Sequence, residues 1–181
     1  MTAERALAYS CNSYFTEMAV RLTDAELTAA YRRAGFGAQT RLAVHEAVGG
    51  FRPAGTRALV QLKAVGEEGI TVTPMQMAAA YRWLAIQWHS PDAALSSVIE
   101  GLQGAVRYGT AQGAQVDGFE VAGKTGTATA QEGAWTHAWF AGFAPVVKPE
   151  VVVVIFLERG QGSEAAEIAG QVLKTWARGR R

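Results

Sequence analysis

The hydrophobic period of this chain changes once, near Gly113, and that change restricts the fold more than any other feature. Before it, apolar residues recur at helical spacing. Thr73-Pro74 is a helix start, because proline in the first turn loses no hydrogen bond, and Met75, Ala78, Ala79 and Trp83 then share a face, predicting a helix to about Trp88. A second follows Ser90-Pro91-Asp92, with Leu95, Val98, Ile99, Leu102 and Val106 in phase before Gly109. Nearer the N-terminus, Asn12 or Ser13 is expected to cap a short helix over Tyr14 to Leu22. Thr23 and Glu26 have capping-box spacing for a helix from Asp24 to Ala34 that stops at Gly35. Gly37 to Leu59 reads mostly as loop. After Gly113 the segments are strand-like: Phe119 to Thr127, Thr136 to Ala144 and Val151 to Leu157, followed by an amphipathic helix over Glu164 to Arg178. The short connection Pro145 to Glu150 favours an antiparallel meander, since parallel neighbours need a longer crossover. The expectation is an α+β fold: a helical segment, a three-stranded antiparallel sheet and a C-terminal helix, all in one domain, 1–181, with no repeat or dividing linker.

Composition narrows the function classes. With 17 basic and 16 acidic residues the net charge is +1, which gives no electrostatic case for nucleic acid. Cys11 is the only cysteine, so no internal disulfide forms. His45, His89 and His137 share no ligand spacing with one another or with Cys11, and neither metal nor cofactor is assigned. Val151 to Leu157 is far shorter than the roughly 20 apolar residues that span a bilayer. The first residues carry no apolar signal core, so membrane attachment is expected only through an N-terminal anchor outside this sequence.

Two short motifs carry chemistry. Ser10-Cys11-Asn12 fits Ser-x-Asn, and Lys124-Thr125-Gly126-Thr127 contains Lys-Thr-Gly; the two belong to the signature of penicillin-binding proteins and β-lactamases. Each has an ordinary alternative, a polar helix cap for the first and a strand ending in a tight turn for the second. The surrounding segments follow the same family order: Gly69-Ile70-Thr71-Val72-Thr73-Pro74 before a helix, Gly109-Thr110-Ala111 ahead of the Lys-Thr-Gly strand, and Trp139-Phe140-Ala141-Gly142-Phe143-Ala144-Pro145 as the strand that pairs with it. From Ser10 to the last helix the chain resembles the C-terminal part of a penicillin-binding transpeptidase domain, and is most similar to the high-molecular-weight, cell-division or elongation type.

That resemblance implies a peptidoglycan stem peptide or a β-lactam as ligand. By it, Ser10 lies in the proton path to the leaving group, Asn12 bonds the substrate amide, Lys124 adds positive potential and Thr125 holds the terminal carboxylate. Gly126 lets substrate approach the strand edge, and the backbone amide of Thr127 is an oxyanion donor. Binding is then β-strand addition to an edge strand. Trp135 and Trp139, flanking that strand, are candidates to line a peptide groove.

Two departures qualify the resemblance. No serine is followed by lysine three positions on: Ser10, Ser13, Ser90, Ser96, Ser97 and Ser163 are followed there by Ser13, Thr16, Ala93, Ile99, Glu100 and Ala166. The acylating Ser-x-x-Lys helix is therefore expected in an upstream segment of the same protein, and the chain alone is expected to be inactive. Second, Gly66-Glu67-Glu68-Gly69 stands where the family has glycine-x-glycine, which lengthens a loop. Two other classes remain open. One is a non-catalytic pseudo-transpeptidase that binds peptide without the serine. The other is a phosphate loop, because Gly118 to Thr125 formally matches G-x-x-x-x-G-K-[ST]; that motif requires a helix directly after Thr125. A bare β-branched edge at Val151 to Leu157 further predicts pairing with an upstream segment or self-association.

Overall fold

The computed structural model describes residues 1–87, 92–130 and 133–180. They form two compact bodies, Cys11–Ala80 and Met1–Ser10 with Tyr81–Arg181.

The body Cys11–Ala80 is helical. It holds α2 (Asn12–Ala19), α3 (Asp24–Arg33), α4 (Arg57–Ala64) and the start of α5 (Pro74–Ile86), with the two-residue strands β1 (Gly50–Phe51) and β2 (Ile70–Thr71) paired antiparallel. The expected capping box closes α3: the Glu26 carboxylate accepts the Thr23 N–H at 2.8 Å and Thr23 Oγ1 accepts the Glu26 N–H at 3.2 Å. Gly35 beyond it has φ +94°, the left-handed value that stops the helix. Helix α5 uses the same device with Thr73 and Gln76, and the buried Gln76 amide also donates to the Ala38 carbonyl at 2.9 Å. Lys63 is fully buried, and its ammonium pairs with Asp24, holding that carboxyl below the usual range.

Three expectations need correction here. Helix α2 starts at Asn12 itself, with Cys11 in the cap position and no side-chain capping bond, so Asn12 and Ser13 stay exposed. Helix α4 occupies part of the stretch expected as loop; its cap is Thr56, whose Oγ1 accepts the Leu59 N–H at 3.3 Å. Helix α2 also ends at Ala19 rather than Leu22. The end of α5 expected near Trp88 lies outside the described residues.

The second body is the α+β part: α1 (Ala3–Ala8), α6 (Ala93–Arg107), a 3₁₀ turn (Gln112–Ala114), β3 (Ala122–Thr129), β4 (Thr136–Ala144), β5 (Val151–Leu157) and α7 (Gly162–Arg178). The sheet order is β3-β4-β5, antiparallel throughout. Strands β4 and β5 have the expected limits. Strand β3 begins three residues later than expected because Gly118 turns with φ +96° and Glu120 gives its carbonyl to the Val146 N–H at 3.0 Å. It then runs two residues further, to Thr129. The phosphate-loop alternative fails at this point: Lys124 and Thr125 lie inside a strand, and no helix terminus follows them.

The alternation of strand side chains sorts the sheet into two faces. Thr125, Phe140 and Ile155 align on one, which α7 covers with the buried Ala165, Ala166, Ala169 and Leu173. On the other, Ala122, Phe143 and Val152 pack with Ile99 and Leu102 of α6. Helix α1 was not anticipated. It packs on α6 through the fully buried Ala6 and Ala8.

Candidate active site

Helix α1 ends in a turn at Ser10, whose N–H donates to the Leu7 carbonyl at 3.2 Å and whose φ is +55°. A non-glycine residue in that region costs about 1 kcal/mol and persists only where its surroundings impose it. The surroundings are the loop after α6. Thr110 N–H donates to the Ala8 carbonyl at 3.2 Å, and a Cβ on Gly109 would fall 2.1 Å from that same oxygen. Only glycine admits so close an approach. Ala111 follows, fully buried, with its N–H on the Ala105 carbonyl at 2.8 Å. In Gly109-Thr110-Ala111, glycine thus lets α1 come near, alanine plugs the core and threonine is left exposed.

Thr110 had no assigned role at the sequence level, and the structure brings it against both Lys124 and Thr125. Its Oγ1 accepts from Thr125 Oγ1 at 2.7 Å and from Lys124 Nζ at 3.3 Å. Lys124 and Thr125 are successive strand residues whose side chains leave opposite faces, so a single oxygen within reach of both stands beside the open edge of β3. Lys124 Nζ also donates to the Thr125 carbonyl at 2.9 Å. Burial of this ammonium pulls its pKa from 10.5 down to about 8. At pH 7 roughly nine-tenths of it is still charged.

The remaining expected residues are placed as follows. Gly126 pairs with Trp139 of β4. A Cβ built on it would meet only the Trp139 side chain, at 3.4 Å and beyond, so packing does not demand glycine here. At Gly123, by contrast, a Cβ would lie 2.4 Å from Phe140 Cζ. Thr127 is exposed and its Oγ1 accepts the Gly162 N–H at 3.0 Å, tying β3 to the first residue of α7. Asn12 opens α2 in the other body. Among the described residues the site therefore brings Lys124, Thr125 and Thr110 into direct contact, with Ser10 two residues beyond Ala8 at the end of α1. Trp135 lies against the Arg159 guanidinium, 4.4 Å from its ring centre.

An open strand edge presenting an ammonium and two hydroxyls suits a carboxylate-terminated chain. Residues 1–175 match the family model for the penicillin-binding protein transpeptidase domain, and the chain belongs to that family. It is 24% identical to the peptidoglycan D,D-transpeptidase MrdA of Acinetobacter baumannii, across 95% of this chain and 34% of that protein. To stage V sporulation protein D of Bacillus subtilis it is 27% identical, across 91% of this chain and 32% of that protein. The crystal structure of Pseudomonas aeruginosa PBP2 in complex with WCK 5153 superposes with a TM-score of 0.84 at 28% identity, covering 96% of this chain and 48% of that one. The chain thus spans about a third of the length of these curated relatives.

Proposed function

We propose that this chain supplies the carboxylate-holding and proton-relay side of a serine D,D-transpeptidase that cross-links peptidoglycan stem peptides, within one transpeptidase domain whose acylating Ser-x-x-Lys helix lies upstream. The contact of Lys124, Thr125 and Thr110 at the open edge of β3 is the observation that carries this reading. Thr110 Oγ1 accepts from both neighbours, which leaves its own proton for an incoming carboxylate. Thr125 re-aims its proton when that anion arrives, and the Lys124 ammonium supplies the field. The peptide then adds to the β3 edge, with the Thr127 amide facing the carbonyl that becomes the oxyanion. Asn12 bonds the substrate amide, and Ser10 passes a proton to the leaving amine. The substrate lies outside the cytoplasm, so the intact protein works there and is held at the membrane by a segment outside this chain; no helix among the described residues is long and apolar enough to cross a bilayer.

The test is an NMR titration of the chain with N-acetyl-D-alanyl-D-alanine. Amide shifts over Thr125 to Thr127 and a roughly tenfold loss of affinity in Thr110→Val, the value of one hydrogen bond to a charged group, are expected. Equal binding of the L,L-dipeptide, or no shift in β3, would overturn it.

A further inference from the structure

Helix α1 has six residues, against the roughly 12 that a helix needs to hold together in isolation, so its place is set by what it packs on. That support is α6 and the turn after it. A Cβ on Gly101 would fall 2.8 Å from Leu7 Cδ2, and one on Gly104 would fall 3.1 Å from Ala8 Cβ. With Gly109, these glycines let α1 lie close against the backbone of α6. At the end of this contact stand two tyrosines. Tyr9 is the C-cap of α1 and Tyr108 the C-cap of α6, and their rings meet at 5.6 Å, tilted by 49°. Tyr108 folds back along its own helix, so that a Cβ on Gly104 would fall 2.6 Å from its hydroxyl. Ser10 follows the first tyrosine directly, and Thr110 stands two residues after the second. The rings are 47% and 45% exposed, so filling the core does not account for the pair.

We propose that Tyr108, paired with Tyr9, is a positioning residue for the reaction: it holds the end of α1 on the turn after α6 and thereby sets Thr110 at Lys124 and Thr125. The proposal rests on the reading of β3 given above and adds a residue that touches no ligand. Across this contact the Thr110 backbone is tied to α1 by the 3.2 Å hydrogen bond from its N–H to the Ala8 carbonyl. That bond lasts while Ala8 stays on Gly104, and the Gly104 position lies between Ala8 and the Tyr108 hydroxyl. On the other side, Thr110 Oγ1 must reach Lys124 Nζ at 3.3 Å and Thr125 Oγ1 at 2.7 Å, and hydrogen bonds weaken steeply as they tilt. With the Tyr108 ring gone, the end of α1 frays and the Thr110 backbone is released. Its hydroxyl then no longer stands where one carboxylate meets it together with Thr125. The aromatic contact supplies direction as well as burial, because paired rings prefer offset or tilted geometries at separations of about 4.5 to 7 Å.

The experiment is an NMR titration with N-acetyl-D-alanyl-D-alanine, with urea unfolding alongside, of the chain, Tyr108→Leu, Tyr108→Phe, Thr110→Val and the double variant of Tyr108→Leu with Thr110→Val. Tyr108→Leu should bind roughly tenfold more weakly than the parent, as Thr110→Val does, because the same hydrogen bond to the carboxylate is lost. Tyr108→Phe keeps the ring and should restore the parent affinity. In the Thr110→Val background, Tyr108→Leu should cost no more than about twofold further, since its effect passes through Thr110. Tyr9→Leu removes the other ring of the pair and carries the same comparison if Tyr108→Leu does not fold. Parent affinity in Tyr108→Leu, with only a lower urea midpoint, would reduce the pair to a structural contact; it would overturn the proposal and leave the transpeptidase reading intact. A further loss of roughly tenfold in the double variant, or equal weakening by Tyr108→Phe and Tyr108→Leu, would overturn it too. Absence of probe binding by the parent chain would overturn both readings together.

Discussion

Replacing Lys124 with methionine should change how stability depends on pH, and the structure sets both window and sign. In the folded chain burial lowers the Lys124 pKa from 10.5 to about 8. Below pH 8 both states hold the proton, and the slope from this group is zero. Between 8 and 10.5 the unfolded chain still holds a proton that the folded chain has released, so stability rises with pH; above 10.5 it levels off. The full shift corresponds to about 3 kcal/mol. Lys124 is only partly buried and keeps the oxygens of Thr110 and Thr125 as partners, so about 1 to 2 kcal/mol is expected. Urea unfolding of the parent and Lys124→Met between pH 7 and 10 reads this as a growing difference in the parent's favour. Burial raises the Tyr31 pKa to about 12 and also raises that of Tyr81, which reduces stability above pH 10 in both chains and cancels in the difference. Parallel pH profiles for the two chains would refute the claim that Lys124 is desolvated at the edge of β3.

The two glycines of β3 should respond oppositely to alanine: Gly126→Ala should leave the urea midpoint unchanged, while Gly123→Ala, which drives a methyl into Phe140, should cost about 1 to 3 kcal/mol. Glu46 accepts from Thr40 Oγ1 at 2.7 Å and from the N–H groups of Thr40, Leu42 and Ala43 at 2.6 to 2.8 Å, with its pKa lowered to about 2. Its contribution to holding residues 40–46 is complete above the ordinary carboxyl pKa of about 4.5 and is lost as pH falls through 2; the amides of Thr40, Leu42 and Ala43 should titrate there by NMR, and a midpoint near 4 would contradict the assignment. Strand β5 has one unpaired edge among the described residues and is β-branched almost throughout, so light scattering should show concentration-dependent association that Val154→Lys suppresses; a strict monomer at high concentration would count against it.

Long periodic segments were the most legible part of the sequence. Strands β4 and β5 and helix α3 fall within a residue of their expected limits because alternation or a capping box marks them directly. Helices α1 and α4 have six and eight residues, too short for a period to emerge, and β1 and β2 have two residues each, held by pairing across about twenty intervening positions. Lys-Thr-Gly marked the strand that carries Lys124 and Thr125, yet Thr110 acquires meaning only when folding brings it to partners fourteen and fifteen positions away. Its flanking glycine and buried alanine are the one local sign. Asn12 shows the converse: a residue suited to capping is not used as a cap, since α2 begins at Asn12 itself with Cys11 in the cap position.

The central claim is that this chain holds one side of an acyl-transfer site while the nucleophile belongs to an upstream segment. Labelling with a fluorescent penicillin, followed by mass spectrometry of the intact chain, tests it most directly. Loss of the nucleophile from such a catalytic unit costs about a millionfold in rate, and Ser10 has no lysine one helical turn away to deprotonate it, so no adduct is expected on this chain alone. Labelling should appear only when the upstream segment carrying Ser-x-x-Lys is supplied. Stoichiometric acylation of Ser10 in the chain by itself would contradict the account.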